Sequence, residues 1–111
     1  MFQVIVTEDA EQDIQLNYQW WRDNRSPDQA QNWYEKIFVE MQTLRHMPER
    51  CSKAPEADRI GRNIRLFFTI GHRITHRVVF LVEADTVKVL RVRHVAQDTL
   101  PDDFIDDPTL N

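Results

Sequence analysis

The sequence predicts an α+β fold: an N-terminal strand, then an antiparallel helical hairpin packed on an antiparallel β-meander. Three observations carry this. Between Ala10 and Leu44 apolar residues recur at helical spacing. From Asn63 to Val95 they alternate with arginines and other polar residues at the two-residue period of a strand. That second region is interrupted at Gly71-His72 and Ala84-Asp85, where an antiparallel chain would reverse.

Residues 2 to 6, FQVIV, read as a short strand. Thr7 then suits an N-cap, and Glu8, Asp9 and Glu11 favour the positive end of a helix dipole. Ala10, Ile14, Tyr18 and Trp21 form one apolar stripe, widened by Leu16 and Trp20, and the helix should end near Asn24. In the second helix Ser26 caps, Pro27 takes the first helical position and Gln29 completes a capping box. Ala30, Trp33, Ile37, Met41 and Leu44 form its stripe, and Pro48 stops it. The short polar link makes the pair an antiparallel hairpin. Residues Pro48 to Asp58 read as loop. Strands are expected at Asn63 to Ile70, Arg73 to Glu83 and Val87 to Val95. The hairpin is the only lid in view for the apolar side of that sheet. A tail with two prolines, five aspartates and no basic residue follows Val95.

The 111 residues, 41% apolar and 29% charged, fit one soluble globular domain with a modest core. The longest apolar run, Val78 to Val82, is far too short to span a membrane. No signal peptide is visible, and a single cysteine, Cys51, allows no internal disulfide and no zinc signature, so a cytoplasmic location is expected. No metal or other cofactor is expected.

Charge is unevenly placed. Arg59, Arg62, Arg65, Arg73, Arg77, Lys88, Arg91 and Arg93 stand against Glu83 and Asp85, a net of +6 in a chain whose total is −4. Guanidinium is planar, always charged and forked, so such a sheet suits a phosphate or carboxylate partner. Two local acids cannot neutralise eight bases, which favours a binding role over a merely solvated face. By alternation, Arg73 and Arg77 lie opposite Ile74, and Arg91 and Arg93 share a face with Val89. The same alternation puts His76 with Val78 and Phe80, on the packed face.

The order of elements and several motifs together resemble the RelE/ParE toxin superfamily of bacterial toxin–antitoxin modules. The residues are Ala10, Asp13-Ile14 and Tyr18; Ala30 to Leu44 followed by Pro48; Ile64-Arg65; Gly71-His72-Arg73-Ile74; and Val89-Leu90-Arg91-Val92-Arg93-His94. The resemblance covers roughly residues 2 to 98, giving a single domain over 1–98 and an acidic tail over 99–111. It implies a plasmid-stabilisation type of toxin, neutralised by a cognate antitoxin protein. RelE-like members cleave messenger RNA on the ribosome, whereas ParE-like members poison DNA gyrase.

For a nuclease, the resemblance maps Arg65 and Arg73 to site positions. Here His72 stands in place of the usual tyrosine, and His76 is a further acid–base candidate. Arg62, Arg77, Arg91 and Arg93 would bind the anion or partner. The late arginine and the C-terminal tyrosine of the nuclease branch are missing: Val95-Ala96-Gln97 follows the last strand, and no tyrosine follows Tyr34. The expectation is therefore a ParE-like, non-nuclease toxin acting on gyrase. The alternatives are a ribosome-dependent mRNA endoribonuclease and an attenuated module that only binds antitoxin.

Overall fold

The computed structural model describes residues 1–69 and 76–94. Strand β1 (Gln3–Val6) leads into helices α1 (Glu8–Asn24) and α2 (Pro27–Gln42). Two short 3-10 turns, Thr43–Arg45 and Pro48–Arg50, follow. Then come β2 (Ser52–Lys53), α3 (Glu56–Ile60), β3 (Ile64–Phe68), β4 (His76–Glu83) and β5 (Thr86–His94). The expected hairpin and meander are both present. The Gly71-His72 reversal and the acidic tail lie outside the described residues.

Both helix starts form as their residues dictate. Ser26 Oγ accepts from Gln29 N at 3.1 Å, with Pro27 opening α2. Thr7 Oγ1 accepts from Ala10 N at 3.3 Å and donates to the Val89 carbonyl at 2.7 Å, so one side chain caps α1 and ties it to β5. At the other hairpin, Ala84 takes a positive φ of 55° to close the turn between β4 and β5.

The sheet is wider than the meander. Its order is β1-β5-β4-β3-β2, with β1 parallel to β5 and every other pair antiparallel. The stretch expected to be loop, 48–58, supplies the edge strand β2 and most of the one-turn helix α3. This corrects the expectation of a single lid. On one face, Ile14, Ile37, Met41 and Leu44 of the hairpin region pack on Val78, Phe80, Val82, Val87, Val89 and Val92. On the other, Ala54, Ala57 and Ile60 close over Ile64, Leu66, Val79, Leu81 and Leu90. The unbroken run Val78 to Val82 is that of a central strand buried on both faces, without the alternation of a half-solvated one. Small side chains let the thin α3 layer approach closely, with Gly61 (φ 74°) ending its helix in the left-handed conformation.

A β-bulge changes the parity of β5. Val79 lies opposite Arg91 and Phe80 opposite Val89, so Leu90 is an extra residue on β5. Val89 and Val92 both face the helical hairpin, while Leu90 packs on the far side. Arg91 and Arg93 therefore do not share a face with Val89, as strict alternation had implied.

Among the described residues no helix is long and apolar enough to cross a membrane.

Candidate functional site

The basic block is largely compensated, by acids that lie mostly outside it. Arg62 pairs with Glu83, one of the two acids local to the block, which Lys88 also approaches at 3.9 Å. Arg65 reaches back to the 48–53 stretch. Its Nη1 donates to the carbonyls of Glu49 and Cys51 at 2.9 and 2.7 Å, its Nε to Asn63 Oδ1 at 2.9 Å, and its Nη2 lies 3.5 Å from Glu49 Oε2. Arg77 is buried and meets Glu56 of α3 at 3.3 Å, both side chains at most 6% exposed. Arg91 is held by Asp13 of α1 at 2.8 and 3.1 Å. The arginines expected to form an anion-binding face are instead engaged, at Arg62, Arg65, Arg77 and Arg91, in separate ion pairs on both sides of the sheet. The charge count failed because it considered only acids near in sequence.

An open cleft of about 420 Å³ lies between the second half of α1 and the ends of β4 and β5. Its origin is topological. β1 pairs with β5 only as far as Val89, leaving the rest of that edge uncovered. Helix α1 takes over: Thr7 N donates to the Val89 carbonyl at 3.1 Å and Asp13 Oδ2 accepts from Val92 N at 2.9 Å. Past Asp13 the cleft is lined by Leu16, Asn17, Trp20, Trp21 and Arg25 on the helix side, and by His76, Arg91 and His94 on the sheet side. Leu16 and Trp20, expected to widen the packed stripe, are instead 64% and 49% exposed. The Arg25 guanidinium sits 5.6 Å from the Trp20 ring centroid. Aromatic rings and basic groups therefore do meet, at the sheet edge and not on its face.

His76 forms the floor of this cleft and is only 2% exposed. Its Nε2 lies 2.8 Å from Asn17 Oδ1, and Asn17 Nδ2 donates to the Asp13 carbonyl at 2.7 Å. Asn17 Oδ1 can only accept, so His76 Nε2 carries the proton. The ring packs between Trp33 and His94, centroids 5.3 Å away in each case. Burial, and secondly the neighbouring His94, push its pKa down to about 4. A neutral, enclosed imidazole is the result. Cys51 is equally quiet: burial raises its thiol pKa, and it packs against the main core.

Of the eight residues singled out in the sequence, the structure gathers His76 and Arg91 at the cleft along the sheet edge and sets Arg77 beside Arg93 on the sheet face turned away from the helical hairpin. Arg62 and Arg65 stand apart, near α3 and β2. His72 and Arg73 lie outside the described residues. Asp13, Asn17 and Glu56 were missed as structural partners. Asp13 carried a signal, since it sits one residue before a core isoleucine at the helix–sheet boundary. Glu56 carried none beyond its charge. Among the described residues no group of three or more His, Cys, Asp or Glu side chains is placed to hold a metal.

Comparison with known proteins gives a consistent answer. The family model described as the ParE toxin of the type II toxin–antitoxin system, parDE, matches residues 4–99. Among solved structures, one described as the chromosomal ParDE TA system from P. aeruginosa is similar, with a TM-score of 0.67 at 16% identity. The alignment covers 85% of this chain and 96% of that one. At that identity the likeness is one of fold. No curated protein matches the chain.

Proposed function

The chain belongs to the ParE toxin family of type II toxin–antitoxin systems, and from that premise we propose that it arrests growth by binding DNA gyrase without cleaving RNA, and that a cognate antitoxin neutralises it. The observation that carries the non-nuclease reading is the state of His76. Metal-free RNA cleavage needs groups that exchange protons with the 2′-hydroxyl and the leaving oxygen, and cations at the phosphate. His76 is enclosed and hydrogen-bonded through Nε2, and its lowered pKa keeps it neutral at physiological pH. Of the two arginines mapped to a nuclease site, Arg65 is committed to internal acceptors, and Arg73 lies outside the described residues.

The cleft beside α1 supports the antitoxin half of the reading. A short segment that folds on binding gains most from a preformed surface with exposed apolar side chains and a few polar anchors. Leu16 and Trp20 offer the first and Arg25 the second.

The test is to assay purified protein for inhibition of gyrase supercoiling, with primer extension on translated transcripts after induction. Inhibited supercoiling without codon-specific cuts is the expected result. Cuts without an effect on gyrase would replace this reading with ribosome-dependent cleavage. Growth unaffected by expression, with the antitoxin still bound, would leave an attenuated antitoxin-binding module.

A further inference from the structure

We propose that Arg93 is the centre of a carboxylate-binding site on the sheet face turned away from the helical hairpin. Arg93 and Arg77 are Cα partners across β5 and β4, next to the Val92–Val78 pair that packs under the hairpin. The two arginines therefore project together toward the α3 side, where Glu56 engages Arg77 through both Nη atoms at 3.3 to 3.5 Å.

Arg93 is treated differently from its neighbours. Among the described residues no carboxylate comes within ion-pair distance of it, although the side chain is more than half buried. Its Nε is fully buried and has no hydrogen-bond partner, and the same holds for Arg77 Nε beside it. Burial, followed by the nearby Arg91 and, less strongly, Arg77, depresses the Arg93 pKa, while Asp13 and Glu56 act the other way. Among the described residues, Asp13 and Glu56 are the carboxylates that act on Arg93, and each already engages another arginine. A partly buried charge without a counter-ion is costly, and an incoming anion relieves that cost.

The group without a described counter-charge is a single guanidinium, and that points to the ligand class. A carboxylate carries one negative charge and matches the guanidinium fork. A phosphate dianion would meet Glu56 and Asp13 with a second charge and nothing to balance it. Because Nε is buried, the ligand approaches the Nη edge. The source is an acidic side chain, either of a partner protein or of this chain's own segment Asp98, Asp102, Asp103, Asp106 and Asp107. The site does not depend on the gyrase or antitoxin reading.

Acetate is the probe, titrated into the full-length protein at constant ionic strength with chloride as the replaced anion. The readout is the Arg93 Nε–Hε signal by ¹⁵N NMR, which burial protects from solvent exchange. A saturable shift is expected with acetate and none with chloride. Arg93→Gln should abolish the response and, in chloride, melt at or above the wild-type temperature, since it removes an uncompensated charge. Arg93→Lys keeps the charge without the fork and should bind acetate more weakly. Equal shifts with chloride, an acetate response that survives in Arg93→Gln, or a lower melting temperature for Arg93→Gln would each overturn the site. Replacing the five named aspartates by asparagine separates the sources. Tighter acetate binding then marks the chain's own segment as the competitor, and unchanged binding marks a site left for a partner.

Discussion

Asp13 and Arg91, 78 residues apart in sequence, form a two-point ion pair at 2.8 and 3.1 Å, and the same Asp13 carboxylate accepts the Val92 amide at 2.9 Å. One side chain therefore neutralises an arginine, satisfies a sheet edge that β1 leaves uncovered, and ties α1 to β5 at the head of the cleft.

Asp13→Ala should be among the more destabilising substitutions in α1. It takes the carboxylate from Arg91 and leaves the Val92 N–H, in a part-buried setting, without its acceptor. Charge-assisted bonds of this kind are worth about 1.5–3 kcal/mol. Asp13→Asn keeps an acceptor for Val92 and should lose less. Urea unfolding of the two variants measures the difference, and equal stabilities would show that the backbone contact contributes nothing.

Glu56→Ala should cost about 3–5 kcal/mol, because it strands the Arg77 guanidinium in a site where the pair is at most 6% exposed. Glu56→Leu combined with Arg77→Met should recover most of that loss, since apolar replacements of similar size remove both desolvated charges together. A double-mutant cycle by thermal or chemical melts gives the coupling directly. Additive losses would mean that the two side chains do not act as a pair.

Acidification should weaken the fold through His76. Its pKa is about 4 in the folded chain, against an ordinary value near 6.5. Above pH 6.5 neither state binds the proton, and stability is unaffected. Between 6.5 and 4 the unfolded chain takes it up and the folded chain does not, so stability falls as pH falls. Below 4 the loss is complete, on the order of 3 kcal/mol. His76→Gln should flatten this part of the profile. A slope unchanged between pH 6.5 and 4 in that variant would assign the effect to other groups.

Trp20→Ala should separate binding from folding. The ring is 49% exposed, and its contact with Arg25 is at the surface, so stability should change by about 1 kcal/mol or less. Co-purification with the cognate antitoxin should fall sharply if the cleft is the docking site. Full complex formation by Trp20→Ala together with Leu16→Ala would move the antitoxin elsewhere on the surface.

Periodicity and cap chemistry were enough to specify the hairpin and the meander from sequence. Thr7, Ser26 and Pro27 mark helix starts through bonds made within three or four residues, and the alternation on β3 follows from local backbone geometry. The burial of His76 was legible for the same reason, since it shares parity with Val78 and Phe80. Sequence periodicity did not reveal the extra residue at Leu90, because each half of β5 reads as a regular strand and only its register against β4 exposes the bulge. Nor did it show that β2 and α3 cover the second face, because two residues of strand and one turn of helix carry too little pattern. The charges depended most on tertiary structure. Their sum along the chain is a property of composition, but a charge is neutralised by whatever lies within a few ångströms of it. Asp13 and Glu56 reach Arg91 and Arg77 only when α1 and α3 close on opposite faces of the sheet, and the same closure leaves Arg93 without a counter-charge of its own among the described residues.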